Sequence, residues 1–129
     1  MALKISELKV LLVEDNREAM QLLKMVLRDL GLGQVFSAGD GAEAEAFLAA
    51  AHEMVDLIIC DWRMPRMTGI ELLEQVRLNF SAMPFIMVTA NRDIDSVKAA
   101  RGLGVNAYIV KPYAPEQLET KLTVLARQL

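Results

Sequence analysis

Leu57-Ile58-Ile59-Cys60-Asp61-Trp62-Arg63-Met64-Pro65 is the stretch that decides the fold. Four apolar residues end abruptly in a carboxylate, and a proline soon afterwards prevents simple continuation of a strand. Asp61 is therefore expected at a strand tip. Residues 10–13 run in the same way into Glu14-Asp15, residues 85–88 into Thr89, and residues 107–110 into Lys111. Apolar runs of this kind, separated by helical stretches, read as a parallel sheet buried on both faces. All strand C-termini of such a sheet lie along one edge. Three carboxylates, a hydroxyl and an ammonium are thereby gathered at the rim where open α/β sheets bind ligands.

Composition narrows the function. The 129 residues are 53% hydrophobic and 24% charged, one domain's length with enough apolar material for a core. A net charge of -3 gives no general attraction to nucleic acid or to an anionic membrane. No apolar run reaches the length of a membrane span, and residues 1–9 lack the apolar core of a secretory signal, so a cytoplasmic protein is expected. Cys60 is the sole cysteine, which rules out an internal disulfide, and its place in a strand pattern makes it a small core residue.

Working outward from the central strand, residues 8–13 form the first strand and Asn16 caps the helix after it, with Ala19, Leu22, Leu23, Val26, Leu27 and Leu30 inward and Gly31 as the stop. Residues 35–38 form a second strand. Asp40-Gly41 turns into an alanine-rich helix with Ala44, Phe47, Leu48 and Ala51 inside and His52 solvated at its end. Thr68-Gly69-Ile70-Glu71 has the form of a capping box, so the third helix runs from there to about Asn79 with Ile70, Leu73, Val76 and Phe80 inward. The fourth helix, residues 93–103, has the weakest stripe: Ile94, Val97, Ala100 and Leu103. Few large anchors suit an element that moves. Pro115 opens the last helix, whose seam is Leu118, Leu122, Leu125 and Leu129, and Ala114 is a poor cap. Five β-then-α units with right-handed crossovers give a doubly wound three-layer sandwich, with nothing left over for a second domain.

Clustered together, Glu14, Asp15 and Asp61 would raise one another's pKa values unless cations compensate. Lys111 supplies one positive charge. A hard divalent cation suits the rest, and carboxylate oxygens with room for water favour Mg²⁺. Such a site is equipped for in-line phosphoryl transfer to Asp61 as nucleophile, with the lysine and a hydroxyl on the equatorial oxygens.

Val13-Glu14-Asp15, residues 61–69, Met87-Val88-Thr89-Ala90 and Tyr108-Ile109-Val110-Lys111-Pro112-Tyr113 together resemble the response-regulator receiver domains, and most closely their single-domain chemotaxis members. The resemblance implies a flavodoxin-like (βα)5 fold of strand order 2-1-3-4-5, with residues 1–129 as one receiver domain. It implies a two-component regulator rather than a turnover enzyme: Asp61 accepts a phosphoryl group from a sensor histidine kinase or histidine phosphotransfer domain, and catalyses its own transfer and dephosphorylation. Mg²⁺ would be held by Glu14, Asp15, Asp61 and the main-chain carbonyl of Arg63. Thr89, Lys111 and the N–H of Ala90 would bind phosphoryl oxygens, and Tyr108 would turn inward when Thr89 moves. The Lys111–Pro112 bond is expected to be cis. The readout surface would be the fourth helix, fifth strand and fifth helix, including Lys98, Arg101, Tyr108 and Lys121, acting on a flagellar-switch protein or another effector. A monomer is expected, with phosphorylation-dependent dimerisation left open.

Arg63 departs from the chemotaxis members, which carry a small polar residue there. Its guanidinium is expected to pair with Glu14 or the phosphoryl group and alter the phosphate's lifetime. Thr68 replaces an acidic residue, which its capping role explains. Trp62 reads as a partly exposed packing residue, and Met64 and Met67 as loop packing. A haloacid-dehalogenase-type phosphatase would need an acid where Arg63 stands, and Glu14-Asp15 would repel the phosphate of a flavodoxin's FMN.

Overall fold

The computed structural model describes residues 2–129. The chain alternates β1 (Lys9–Val13), α1 (Arg17–Asp29), β2 (Gln34–Ala38), α2 (Gly41–Ala51), β3 (Leu57–Cys60), α3 (Gly69–Asn79), β4 (Phe85–Thr89), α4 (Ile94–Gly102), β5 (Ala107–Val110) and α5 (Pro115–Gln128). Every strand pairs in parallel, in the order β2-β1-β3-β4-β5. This is the expected flavodoxin-like order. Expected strand starts differ by a residue: Lys9 rather than Leu8, and Gln34 rather than Val35. Leu8 lies buried just ahead of its strand. The expected 1–129 span includes Met1, which lies outside the described residues.

Period-two alternation along the strands divides the core between two faces. Val10 and Leu12 of β1 and Ile59 of β3 pack with Leu23 and Leu27 of α1 and with Leu118, Leu122 and Leu125 of α5. Leu11, Val13, Ile58 and Cys60 face the other way, onto Ala44 and Leu48 of α2, Leu72, Leu73 and Val76 of α3, and Ala100 of α4. Burying each such Leu or Ile contributes about 1.5–3 kcal/mol, which explains why both strand faces are apolar.

Local chemistry sets the helix ends. Asn16 Oδ1 accepts the Ala19 N–H at 2.8 Å, and Asp40 Oδ1 accepts that of Glu43 at 2.8 Å. The Thr68–Glu71 capping box forms as expected. Gly31 (φ 99°) and Gly104 (φ 77°) end α1 and α4 in the left-handed region. Ala114 offers no side-chain cap. Gln117 Oε1 instead accepts the Ala114 N–H at 2.8 Å.

Several expected stripe positions are corrected. Leu22 is 58% exposed, Ile94, the first residue of α4, 69%, and Leu129, just past the end of α5, 36%. Leu72, absent from the expected stripe, is fully buried. His52 is half-buried rather than solvated: its ring stacks on Phe80 at 4.7 Å, and Nδ1 lies 3.3 Å from the Leu48 carbonyl. Helix α4 is as weakly anchored as expected, with Ala100 its one fully buried residue. Among the described residues no helix is long and apolar enough to cross a membrane.

Candidate functional site

Register brings the strand tips together. Val13 lies opposite both Ala38 and Cys60, so Glu14 and Asp61 leave neighbouring strands at one level. Thr89 pairs with Val110, which places Lys111 beside it. The ladder continues past the strands: Asp61 N–H donates to the Val13 carbonyl at 3.1 Å and Lys111 N–H to that of Thr89 at 2.8 Å.

Lys111 ties the acids together. Its Nζ donates to Glu14 Oε1 at 2.9 Å and to Asp61 Oδ2 at 3.4 Å. Glu14 Oε2 accepts the Asn16 N–H at 3.2 Å, and Asp61 Oδ1 the Trp62 N–H at 2.6 Å. Asp61 therefore has one oxygen fixed by its own loop and the other facing the ammonium. Burial, and secondarily the charge of Asp61, raises the Glu14 carboxyl pKa although Lys111 opposes the shift. Burial pulls the Lys111 ammonium down, but its hydrogen bond to Glu14 and the charges of Asp61 and Glu14 outweigh burial and leave it above the ordinary lysine value.

The loop after β3 is locked onto the acceptor. Gly69 N–H donates to the Trp62 carbonyl at 2.8 Å. A Cβ on Gly69 would overlap the Asp61 carbonyl oxygen and stand 2.9 Å from Trp62 Cα, so only glycine allows α3 to start this close to Asp61. Cys60 is buried as expected and its thiol is pushed well above the ordinary value by burial, so it is not a nucleophile here.

A model of the response regulator receiver domain matches residues 10–123. The chain belongs to that family. It is 38% identical over 117 residues to the chemotaxis protein CheY of Pseudomonas aeruginosa, covering 89% of this chain and 93% of that one. It is 40% identical to the CheY homolog of a Campylobacter jejuni strain, covering 89% of each. The crystal structure of the chemotaxis protein CheY4 of Vibrio cholerae superposes with a TM-score of 0.81 at 33% identity, covering 92% of this chain and 98% of that one. The chain is thus a receiver domain of the CheY type, a response regulator of two-component signalling.

Within this receiver the expected residues are not gathered equally. Glu14, Asp61 and Lys111 are in mutual contact, and Thr89 is buried at the same rim. Asp15, Arg63 and Ala90 are exposed. Among the described residues, no three acid, His or Cys side chains stand close enough to hold a metal ion jointly. The expected Arg63–Glu14 pair is not formed, because Lys111 occupies Glu14. The Lys111–Pro112 bond is cis, as expected.

Asn91, which sequence reasoning passed over, links the two expected switch residues. Its N–H donates to Thr89 Oγ1 at 3.2 Å, and its carbonyl accepts the Tyr108 hydroxyl at 2.6 Å. Tyr108 is half-buried, with its hydroxyl on the Asn91 carbonyl. Burial, and then Asp61 and Asp93, raise its phenol pKa. Asn91 Oδ1 also accepts the Asp93 N–H at 3.1 Å, an Asx turn that the Asn-x-Asp spacing before a helix could have signalled.

Proposed function

We propose that Asp61 is the phosphoacceptor of this receiver, taking the phosphoryl group from a phosphohistidine of a sensor kinase or phosphotransfer domain. One observation carries the reading. A lysine from the tip of β5 bridges carboxylates from the tips of β1 and β3, 97 and 50 residues away in sequence. Folding alone gives no reason to gather these groups at a rim.

Asp61 Oδ2 is the attacking oxygen, since Oδ1 is held by the Trp62 N–H. The new bond is O–P, the bond broken is N–P, and the electron pair leaves with the donor imidazole. Lys111 moves with the incoming charge, and the Thr89 hydroxyl and Ala90 N–H meet the other phosphoryl oxygens. Glu14, Asp15, Asp61 and the Arg63 carbonyl would hold Mg²⁺. All four donors are hard oxygens, and the half-compensated charge of Glu14 and Asp61 fits a cation. When bound, the ion neutralises charge on the transferring group.

Thr89 moving onto the phosphoryl group gives up the Asn91 N–H. Tyr108 shares Asn91, so the change reaches α4 and β5. The α4-β5-α5 face, with Lys98, Arg101, Tyr108 and Lys121, then controls a target, a flagellar-switch protein in the chemotaxis reading. Residues 1–129 act in this reading as one cytoplasmic receiver, monomeric before modification.

Intact mass measured over time with a small acyl phosphate and Mg²⁺ tests the proposal. A single phosphoryl adduct is expected, absent without metal and in Asp61→Asn. An adduct of equal yield in that variant would overturn it.

A further inference from the structure

The loop that carries the acceptor, residues 61–68, is held by more than its own turn. Arg66 adopts φ 67°, the only left-handed non-glycine among the described residues, a conformation disfavoured for a long side chain. Its guanidinium forms an ion pair with Asp40 Oδ2, 26 residues away at the start of α2. Asp40 is an unusual partner, a carboxylate only 2% exposed. Its two oxygens divide the work: Oδ1 caps α2 through the Glu43 N–H, and Oδ2 is left for Arg66. Beside it Gly41 lies under Met67, where a Cβ would come within 2.9 Å of the Met67 carbonyl oxygen. The loop is therefore seated on the N-terminus of α2, with the ion pair at its edge.

Asp40 follows β2, which pairs with β1, and Glu14 N–H extends that pairing to the Ala38 carbonyl at 3.1 Å. Arg66 thus connects the loop bearing Asp61 and the Arg63 carbonyl to the strand pair that bears Glu14. We propose that Arg66 and Asp40 are positioning residues for the cation and phosphoryl site, a brace that fixes the distance between the acceptor loop and the Glu14 side of the rim. The inference rests on the proposed Mg²⁺ site.

The chemistry of Asp40 allows the brace to be removed without the cap. Serine caps a helix about as well as aspartate but cannot reach Arg66. Glycine at position 66 removes the guanidinium and suits the left-handed backbone better. Both variants should fold: Asp40→Ser keeps the cap and a urea midpoint near that of the unmodified chain, whereas Arg66→Gly leaves the buried Asp40 carboxylate with its cap alone and has a lower midpoint. Mg²⁺ is titrated into each chain by Trp62 fluorescence. Each variant is expected to weaken Mg²⁺ binding about threefold to fivefold, the size of an ion pair whose arginine is exposed. The double variant should be no weaker than either single one, and the ratio to the unmodified chain should shrink in high salt, which screens the pair.

Equal affinity in the unmodified chain and both single variants would overturn the brace, as would losses that multiply in the double variant. Failure of the unmodified chain itself to bind Mg²⁺ would instead overturn the site reading, and the brace with it.

Discussion

Gly69→Ala places a single methyl group against the acceptor. The added Cβ would overlap the Asp61 carbonyl oxygen, with Trp62 Cα at 2.9 Å and Asp61 C at 3.0 Å. All three are backbone atoms, so no side-chain rotation relieves the contact and α3 or the loop must shift. Overpacking of this kind costs about 1–3 kcal/mol. Alanine's better helix propensity offsets at most about 1 kcal/mol of that. The net loss is about 1–2 kcal/mol, or a urea midpoint lower by about 1 M at the slopes of small proteins. The peptide pushed aside also carries the Trp62 N–H that fixes Asp61 Oδ1, so the carboxylate moves with it. A misplacement approaching 1 Å slows chemistry by about a hundredfold. Urea unfolding and the rate of phosphoryl labelling by intact mass measure the two effects. Gly102→Ala is the control: nothing lies within 4 Å of its Cβ, so it should be neutral or slightly stabilising. If Gly69→Ala matched the unmodified chain in both midpoint and labelling rate, the close approach of α3 to Asp61 would have no functional meaning.

Arg77→Met should lower stability by about 2–3 kcal/mol, because the guanidinium donates to the Met83 and Leu103 carbonyls at 2.7 and 3.0 Å and both are left without it. Calorimetry would register this as about 10 °C in Tm, while Mg²⁺ binding should persist. Glu14→Gln should stabilise the metal-free chain at neutral pH. The folded state holds the Glu14 proton more tightly than the unfolded chain, whose value is 4.5, so this group's contribution is fully present below 4.5 and is lost as pH rises through the folded-state pKa. Urea midpoints against pH should lose that acid-side decline in the variant, whose Mg²⁺ binding should weaken. Lys111→Met leaves two neighbouring carboxylates uncompensated and should cost about 2 kcal/mol, less than the 3–5 kcal/mol of a fully buried pair because the lysine side chain is 25% exposed. The Lys111 contribution should vanish above pH 10.5 as pH rises through the raised folded value, so the two chains' midpoints converge there.

The fold was legible because β1, β3, β4 and β5 carry apolar runs that lead into a polar tip, as at residues 57–61, whereas the edge strand β2 exposes Gln34 and Ser37. Runs of this kind suit buried parallel strands, and four of them with the short second strand and intervening helical stripes leave little topological choice. Stripe edges were less legible. Leu22 and Ile94 carry the spacing of core residues, but spacing does not tell how wide a face the sheet covers. The Glu14, Asp61 and Lys111 contacts followed from the strand tips alone. Asp40, Arg66 and Arg77 could not be found that way. Their partners are main-chain carbonyls or a charge 26 residues away, and nothing periodic marks them. Of the two partners expected for Arg63, Glu14 is instead held by Lys111, which spacing along the chain does not reveal.

The acceptor's identity is tested most directly by reducing the phosphorylated chain with borohydride, which converts an aspartyl phosphate to homoserine, and mapping the product by peptide mass. Homoserine at position 61 alone is the expected result. Homoserine at position 15, or a product from Glu14, would place the phosphoryl group on another acid of the rim and contradict the assignment of Asp61.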